Sequence, residues 1–150
     1  MNIVAIGAHP DDLEIFAYGF LAAASSRGDN LILGVATDGA AGGVNKGAEL
    51  ARQRADEARN GLAALGTPTL LDLPDGQLAD APNARNRIRD FIRNAAPDLV
   101  ITHAPEDYHP DHRALAAYVR DAAGFICPVL FCDTLMGVGF TPDYYIDISA

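Results

Sequence analysis

Short apolar runs alternate with longer amphipathic stretches along this chain, and that alternation restricts its fold more than any single motif does. NIVAIGA (2–8) is continuous and rich in β-branched residues, the pattern of a strand buried on both faces. The Ala- and Leu-rich stretch 13–26 reads as a helix that ends before Gly28. LILGVAT (31–37), TLLDL (69–73), DLVITH (98–103) and PVLFCD (128–133) supply four more strands. Further helices are predicted over 48–66, from about 83 to 95, and from the HPDH segment to about 123. A glycine-rich loop, DGAAGGVNKG (38–47), and the turn Pro74-Asp75-Gly76 punctuate this order. YYIDIS (144–149) alternates and is predicted as a last strand at a sheet edge.

Strands and helices in turn imply an α/β fold with right-handed crossovers. The expected architecture is a Rossmann-like, mainly parallel sheet of order 3-2-1-4-5 with helices on both faces, a three-layer sandwich. In that order the first and fourth strands are neighbours, and ligands bind beyond their carboxyl ends, where the chain reverses direction across the sheet.

Two segments fall at that crevice. GAHPDDLEIF (7–16) follows the first strand, and DYHPDH (107–112) lies one loop beyond the fourth. The chain has four histidines, His9, His103, His109 and His112, all in or beside these segments. Proline and aspartate in a first helical turn are ordinary capping residues, and one such tripeptide would need no other account. Two of them, converging at a switch point, point to a site instead. His9, Asp12 and one histidine of the second segment offer N, O and N donors, the set of a catalytic zinc with one position open. Asp11 cannot face the same way as Asp12 on a helical turn, which leaves it free to act as a base. The remaining histidine is a candidate to stabilise an oxyanion in its charged form.

Composition narrows the alternatives. With 150 residues and 49% hydrophobic content the chain is expected to form one domain with a full core. The net charge of −9 and the single lysine, Lys46, provide no basic footprint for nucleic acid or an anionic membrane surface. No apolar run approaches the roughly 18 residues of a membrane span, and no signal-peptide pattern opens the chain, so a cytoplasmic protein is expected. Cys127 and Cys132 are expected to be reduced, buried thiols in or beside a strand rather than zinc ligands.

The chain resembles the PIG-L/LmbE-like family of zinc-dependent deacetylases, which remove N-acetyl groups from amino sugars. The resemblance rests on GAHPDDLE, TDGAAGG, Arg54-Ala55-Asp56-Glu57, Leu65-Gly66, LPDG (73–76), PDLVITH, DYHPDH and YYIDIS. AHPDD followed by HPDH is its specific part. The resemblance implies zinc (Zn²⁺) ligands at His9, Asp12 and His112, a general base at Asp11 and an oxyanion-side histidine at His109. It further implies a substrate contact by Arg54 and an orienting contact from Asp75 to His109. His103 is expected to be a wall residue, and Gly39, Gly42 and Gly43 resemble a loop near the substrate. The implied partner is a small N-acetylated amino sugar; a homo-oligomer is left open.

Two departures from the family pattern stand out. Tyr18-Gly19 replaces the usual glycine pair, and relatives continue beyond the strand matching YYIDIS. Residues 1–150 are therefore expected to form a single domain of the family without its C-terminal part. Two rival readings differ in class. A Mg²⁺-dependent phosphoryl hydrolase would use Asp11 and Asp12, but magnesium prefers oxygen ligands to histidines. A truncated sugar- or nucleotide-binding module would have no activity, and no G-x-G-x-x-G follows the first strand.

Overall fold

The computed structural model describes residues 1–44, 46–133 and 141–149. Five strands, β1 (Asn2–Gly7), β2 (Asn30–Thr37), β3 (Thr69–Leu73), β4 (Leu99–His103) and β5 (Val129–Cys132), form one sheet of order β3-β2-β1-β4-β5. All four pairings are parallel. The helices are α1 (Tyr18–Ser26), α2 (Ala48–Gly61), α3 (Ala84–Asn94) and α4 (Pro110–Ala123), and a π-helical turn, Leu13–Ala17, leads into α1. This is the architecture predicted from the alternating pattern.

The central strand β1 is buried on both sides, and its two-residue period sends alternate side chains to opposite layers. Val4 and Ile6 join the core under α3 and α4, with Ile88, Ile92, Leu115 and Val119. Ile3 and Ala5 join the core under α1, with Leu13, Leu21, Leu33 and Leu62. Each fully buried Leu or Ile stabilises the fold by about 1.5–3 kcal/mol. On α4 the inward stripe is His112, Leu115, Ala116, Val119, Ala122 and Ala123, spaced three and four residues apart. The packing that seats α4 on the sheet therefore also aims His112 inward.

Three expectations are corrected. The second predicted helix stops at Gly61 rather than running to Gly66, whose φ of 143° suits a glycine in a turn. YYIDIS forms no ladder: residues 144–149 carry no strand, and Tyr144 and Tyr145 are both exposed, so the alternation does not sort into two faces. Ile148 instead lies against Gly19, where an added Cβ would come within 2.6 Å of it. The cysteines are free as expected, but only partly buried: Cys132 sits in β5 and Cys127 ahead of it. No helix among the described residues is long and apolar enough to cross a membrane.

Candidate active site

The carboxyl ends of β1 and β4 bring the two His-Pro-Asp segments together. His9 lies two residues beyond β1, His103 ends β4, and His109 caps α4. His9 Nδ1 is 3.2 Å from His112 Nε2. Asp12 presents Oδ2 to His9 Nδ1 at 3.5 Å and Oδ1 to His112 Nε2 at 3.5 Å. Two donors held by one tetrahedral zinc at bond lengths of ~2.0–2.1 Å stand ~3.3 Å apart. The two histidine nitrogens, 3.2 Å apart, match that value, Asp12 sets a separate oxygen 3.5 Å from each of them, and N, N and O donors suit zinc chemically. Among the described residues three overlapping donor groups gather within 4.8 Å: His9, His109 and His112; Asp12, His103 and His112; and His9, Asp75 and Asp111. His9 and His112 each belong to two of them.

Both histidines are backed by carboxylates on their far nitrogens. His9 Nε2 lies 3.2 Å from Asp111 Oδ2 and 3.2 Å from Asp75 Oδ1. With its proton drawn to Nε2, the ring turns an unprotonated Nδ1 toward His112. Asp111 is itself held by the amides of Gly76, at 2.7 Å, and Leu78, at 3.0 Å. His112 Nδ1 approaches Asp107 Oδ2 at 3.0 Å, without the alignment of a full hydrogen bond. Asp107 also accepts from the His109 amide at 2.8 Å, so one carboxylate braces both histidines of the second segment.

Asp107 and Asp111 went unrecognised in the sequence, although Asp111 repeats the place of Asp11 in its own tripeptide. Asp75 joins the site differently from expectation. Its carboxylate meets His9 and accepts from the Ala41 amide at 2.8 Å, and no contact to His109 is seen.

These surroundings separate the site's charges. Burial alone would raise the Asp12 carboxyl, but contacts with His103, His112 and His9 hold it well below the ordinary carboxylate range. Burial lowers His9 and His112, yet their carboxylate neighbours more than offset it and both are raised. Burial and the neighbouring His9 and His112 hold His109 below the ordinary histidine range. His109 Nδ1 accepts from the Asp111 amide at 3.2 Å, which puts the proton of a neutral ring on Nε2. The structure thus favours a neutral donor there over the charged histidine expected from the sequence.

Asp11 takes a different partner from Asp12, but not on the helical turn expected: its backbone φ is 127°, which L-residues rarely adopt. Its Oδ2 accepts from Arg54 Nη2 at 2.6 Å, and the same nitrogen donates to the Pro10 carbonyl at 2.7 Å. Desolvation in the cleft pushes the Asp11 carboxyl up, Arg54 pulls it back in part, and the Asp12 charge adds to the rise. The glycine loop makes room for the guanidinium. A Cβ on Gly42 would stand 2.5 Å from Arg54 Nη1, and one on Gly39 would meet Pro10 at 2.9 Å and Arg54 at 3.1 Å. Gly43 lies against Leu50 instead.

Asp11, His109, Arg54 and Tyr108 line an open cleft of about 370 Å³ above the donor cluster. A carboxylate, an imidazole donor and a guanidinium thus face one space beside a set of donors fit for a metal. That combination can activate water and stabilise a developing anion.

Comparison with known proteins adds the following. Residues 4–123 match the family model described as PIG-L: GlcNAc-PI de-N-acetylase. The uncharacterized deacetylase YaiS of Escherichia coli (strain K12) is 33% identical over 125 residues, covering 76% of this chain and 63% of that protein. The chain thus spans less than two thirds of that relative's length. The N,N'-diacetylchitobiose deacetylase of Pyrococcus horikoshii superposes with a TM-score of 0.84 at 24% identity, over 98% of this chain and 64% of that one. The 4-carboxy-2-hydroxymuconate hydratase GalB of a Pseudomonas superposes with a TM-score of 0.79 at 20% identity, over 99% and 73%. At such identities the two superpositions establish the fold alone.

Proposed function

Since this chain belongs to the PIG-L family, described as GlcNAc-PI de-N-acetylase, we propose that it is a zinc-dependent N-deacetylase acting on an N-acetylglucosaminyl-type amino sugar. The observation that carries the reading is the convergence of His9 Nδ1, His112 Nε2 and Asp12, 3.2–3.5 Å apart, beside an Asp11 carboxylate turned into the cleft. His9, Asp12 and His112 would hold the ion, which when bound acts as a Lewis acid and makes water a nucleophile near neutral pH.

The protein's own groups handle the protons. Asp11 accepts one proton from the attacking water as its oxygen bonds to the acetamide carbon. The carbonyl electron pair moves onto oxygen, where His109 Nε2–H donates to it. Collapse of the tetrahedral intermediate breaks the C–N bond, and the proton held on Asp11 passes to the leaving nitrogen. Acetate and a free amino sugar result. Arg54 reaches the same cleft and is assigned to substrate hydroxyls, while Asp75 steadies His9.

The test is acetate release from a panel of N-acetylated amino sugars, run with zinc quantified per chain. About one zinc per chain and acetate equimolar with new amine are expected. Zinc without acetate release, but with water addition to an unsaturated carboxylate, would point to hydratase chemistry on the same fold.

A further inference from the structure

We propose that His103, which the mechanism above leaves unused, is a positioning residue that aligns Asp12 and His112 for the metal. The proposal rests on the reading of those two residues as ligands. His103 is 3% exposed at the end of β4. Two rings contact it: His112 stacks on it with centroids 3.7 Å apart and planes 13° from parallel, and Phe16 of the π-helical turn lies at 4.6 Å, tilted by 56°. Its Nε2 stands 3.0 Å from Asp12 Oδ2.

That last contact determines the ring's tautomer. Two lone pairs face each other at 3.0 Å in a buried place only across a proton or a metal ion, and with His9, Asp12 and His112 as the ligands it is a proton that lies here. The Ala8 amide also points at Nε2 from 3.0 Å, but one ring nitrogen cannot accept that proton and donate to Asp12. A hydrogen bond to an ionised carboxylate is roughly twice as strong as a neutral one, so the proton is assigned to Nε2, facing Asp12, at the cost of the acceptor that the buried Ala8 amide would otherwise have there.

Two consequences follow for the metal donors. Asp12 Oδ2 accepts from both His103 and the His9 amide, the latter at 2.6 Å. Oδ1, 3.5 Å from His112 Nε2, is left as the oxygen for the ion. The stacked face of His103 meanwhile limits rotation of the His112 ring. Contacts of this kind behind a ligand typically change metal affinity by about ten- to a hundredfold.

Zinc affinity by competition with a chromophoric chelator tests this, with circular dichroism to check folding. His103→Phe keeps a stacked ring and loses the donor, so zinc affinity is expected to fall about ten- to a hundredfold. His103→Gln places an amide N–H near the former Nε2 and is expected to recover most of that loss. Unchanged affinity in His103→Phe overturns the proposal. So does an equal loss in both variants, or complete loss of binding in both, which would make His103 a ligand in its own right.

Long-range ¹⁵N–¹H NMR of the unsubstituted protein gives a second reading that needs no variant. His103 is expected to show a protonated Nε2 and an unprotonated, uncoordinated Nδ1, with or without zinc. An unprotonated or zinc-shifted Nε2 overturns the assignment. If the unsubstituted protein takes up no zinc, the functional reading falls and takes this proposal with it. Zinc uptake indifferent to His103 removes the proposal alone.

Discussion

Arg54 Nη2 donates to Asp11 Oδ2 at 2.6 Å across 43 residues of sequence, and the glycine loop leaves the space through which the guanidinium reaches it. The arginine thus holds in place the carboxylate assigned as base. Asp11→Asn should keep zinc and fold yet lose on the order of 10²–10⁴ in turnover, because an amide cannot take the water's proton. Gly42→Ala should fold normally, since the close contact of its Cβ is with the far end of a long side chain rather than with backbone, but by displacing the Arg54 guanidinium it should lower kcat more than it raises KM. Steady-state kinetics checks both, and activity of Asp11→Asn within a few-fold of the parent would remove Asp11 from the base role.

His112 and His109 sit three residues apart and should fail differently. His112→Ala, like His9→Ala or Asp12→Ala, should lose zinc, because two protein ligands rarely hold the ion firmly. His109→Ala should keep zinc and lose turnover. Zinc should accordingly raise Tm in His109→Ala but not in His112→Ala. Elemental analysis with thermal melts reads the contrast, and the reverse pattern would exchange the two roles.

Asp111 should prove structural as well as supportive of His9. Its side chain accepts from Gly76 and Leu78 and is almost fully buried. Asp111→Ala leaves two amides without partners at about 1–3 kcal/mol each, and because Gly76 is exposed enough for water to replace its partner in part, a loss of about 2–4 kcal/mol is expected rather than the full sum. Urea unfolding in the presence of a chelator separates this from any metal contribution. A change below about 0.5 kcal/mol would mean that the 74–78 turn does not depend on Asp111.

Cys132 should alkylate slowly and with a steep dependence on pH. Burial pushes its thiol up to about 12. The thiolate is the nucleophile, so little of the reactive form exists near neutrality. Labelling by iodoacetamide, followed by peptide mass spectrometry, should accelerate about tenfold per pH unit from about pH 8 to about pH 10. A plateau below about pH 9 would show a thiol less desolvated than its place in β5 implies.

Much of the fold was legible because its signals are local. TLLDL coincides with β3, and NIVAIGA, apolar without a break after Asn2, forms the central strand whose pleat divides Val4 and Ile6 from Ile3 and Ala5 between the two layers. YYIDIS alternates as a half-buried strand does, yet a strand also needs an edge to pair with, and residues 144–149 make no ladder.

Of the site, the sequence by itself determined which donors exist and that both His-Pro-Asp segments lie beyond neighbouring strand ends. Residue type limits the available chemistry, and strand order limits which chain ends can meet. Only the tertiary structure decided which carboxylate stands behind which ring. Asp75 lies against His9 rather than His109, Asp107 and Asp111 brace His112 and His9, and His103 meets Asp12. Such pairings turn on approaches of about 3 Å, in most cases between segments far apart in the chain. No sequence period records those distances; the packing of α4 and the loops onto the sheet sets them.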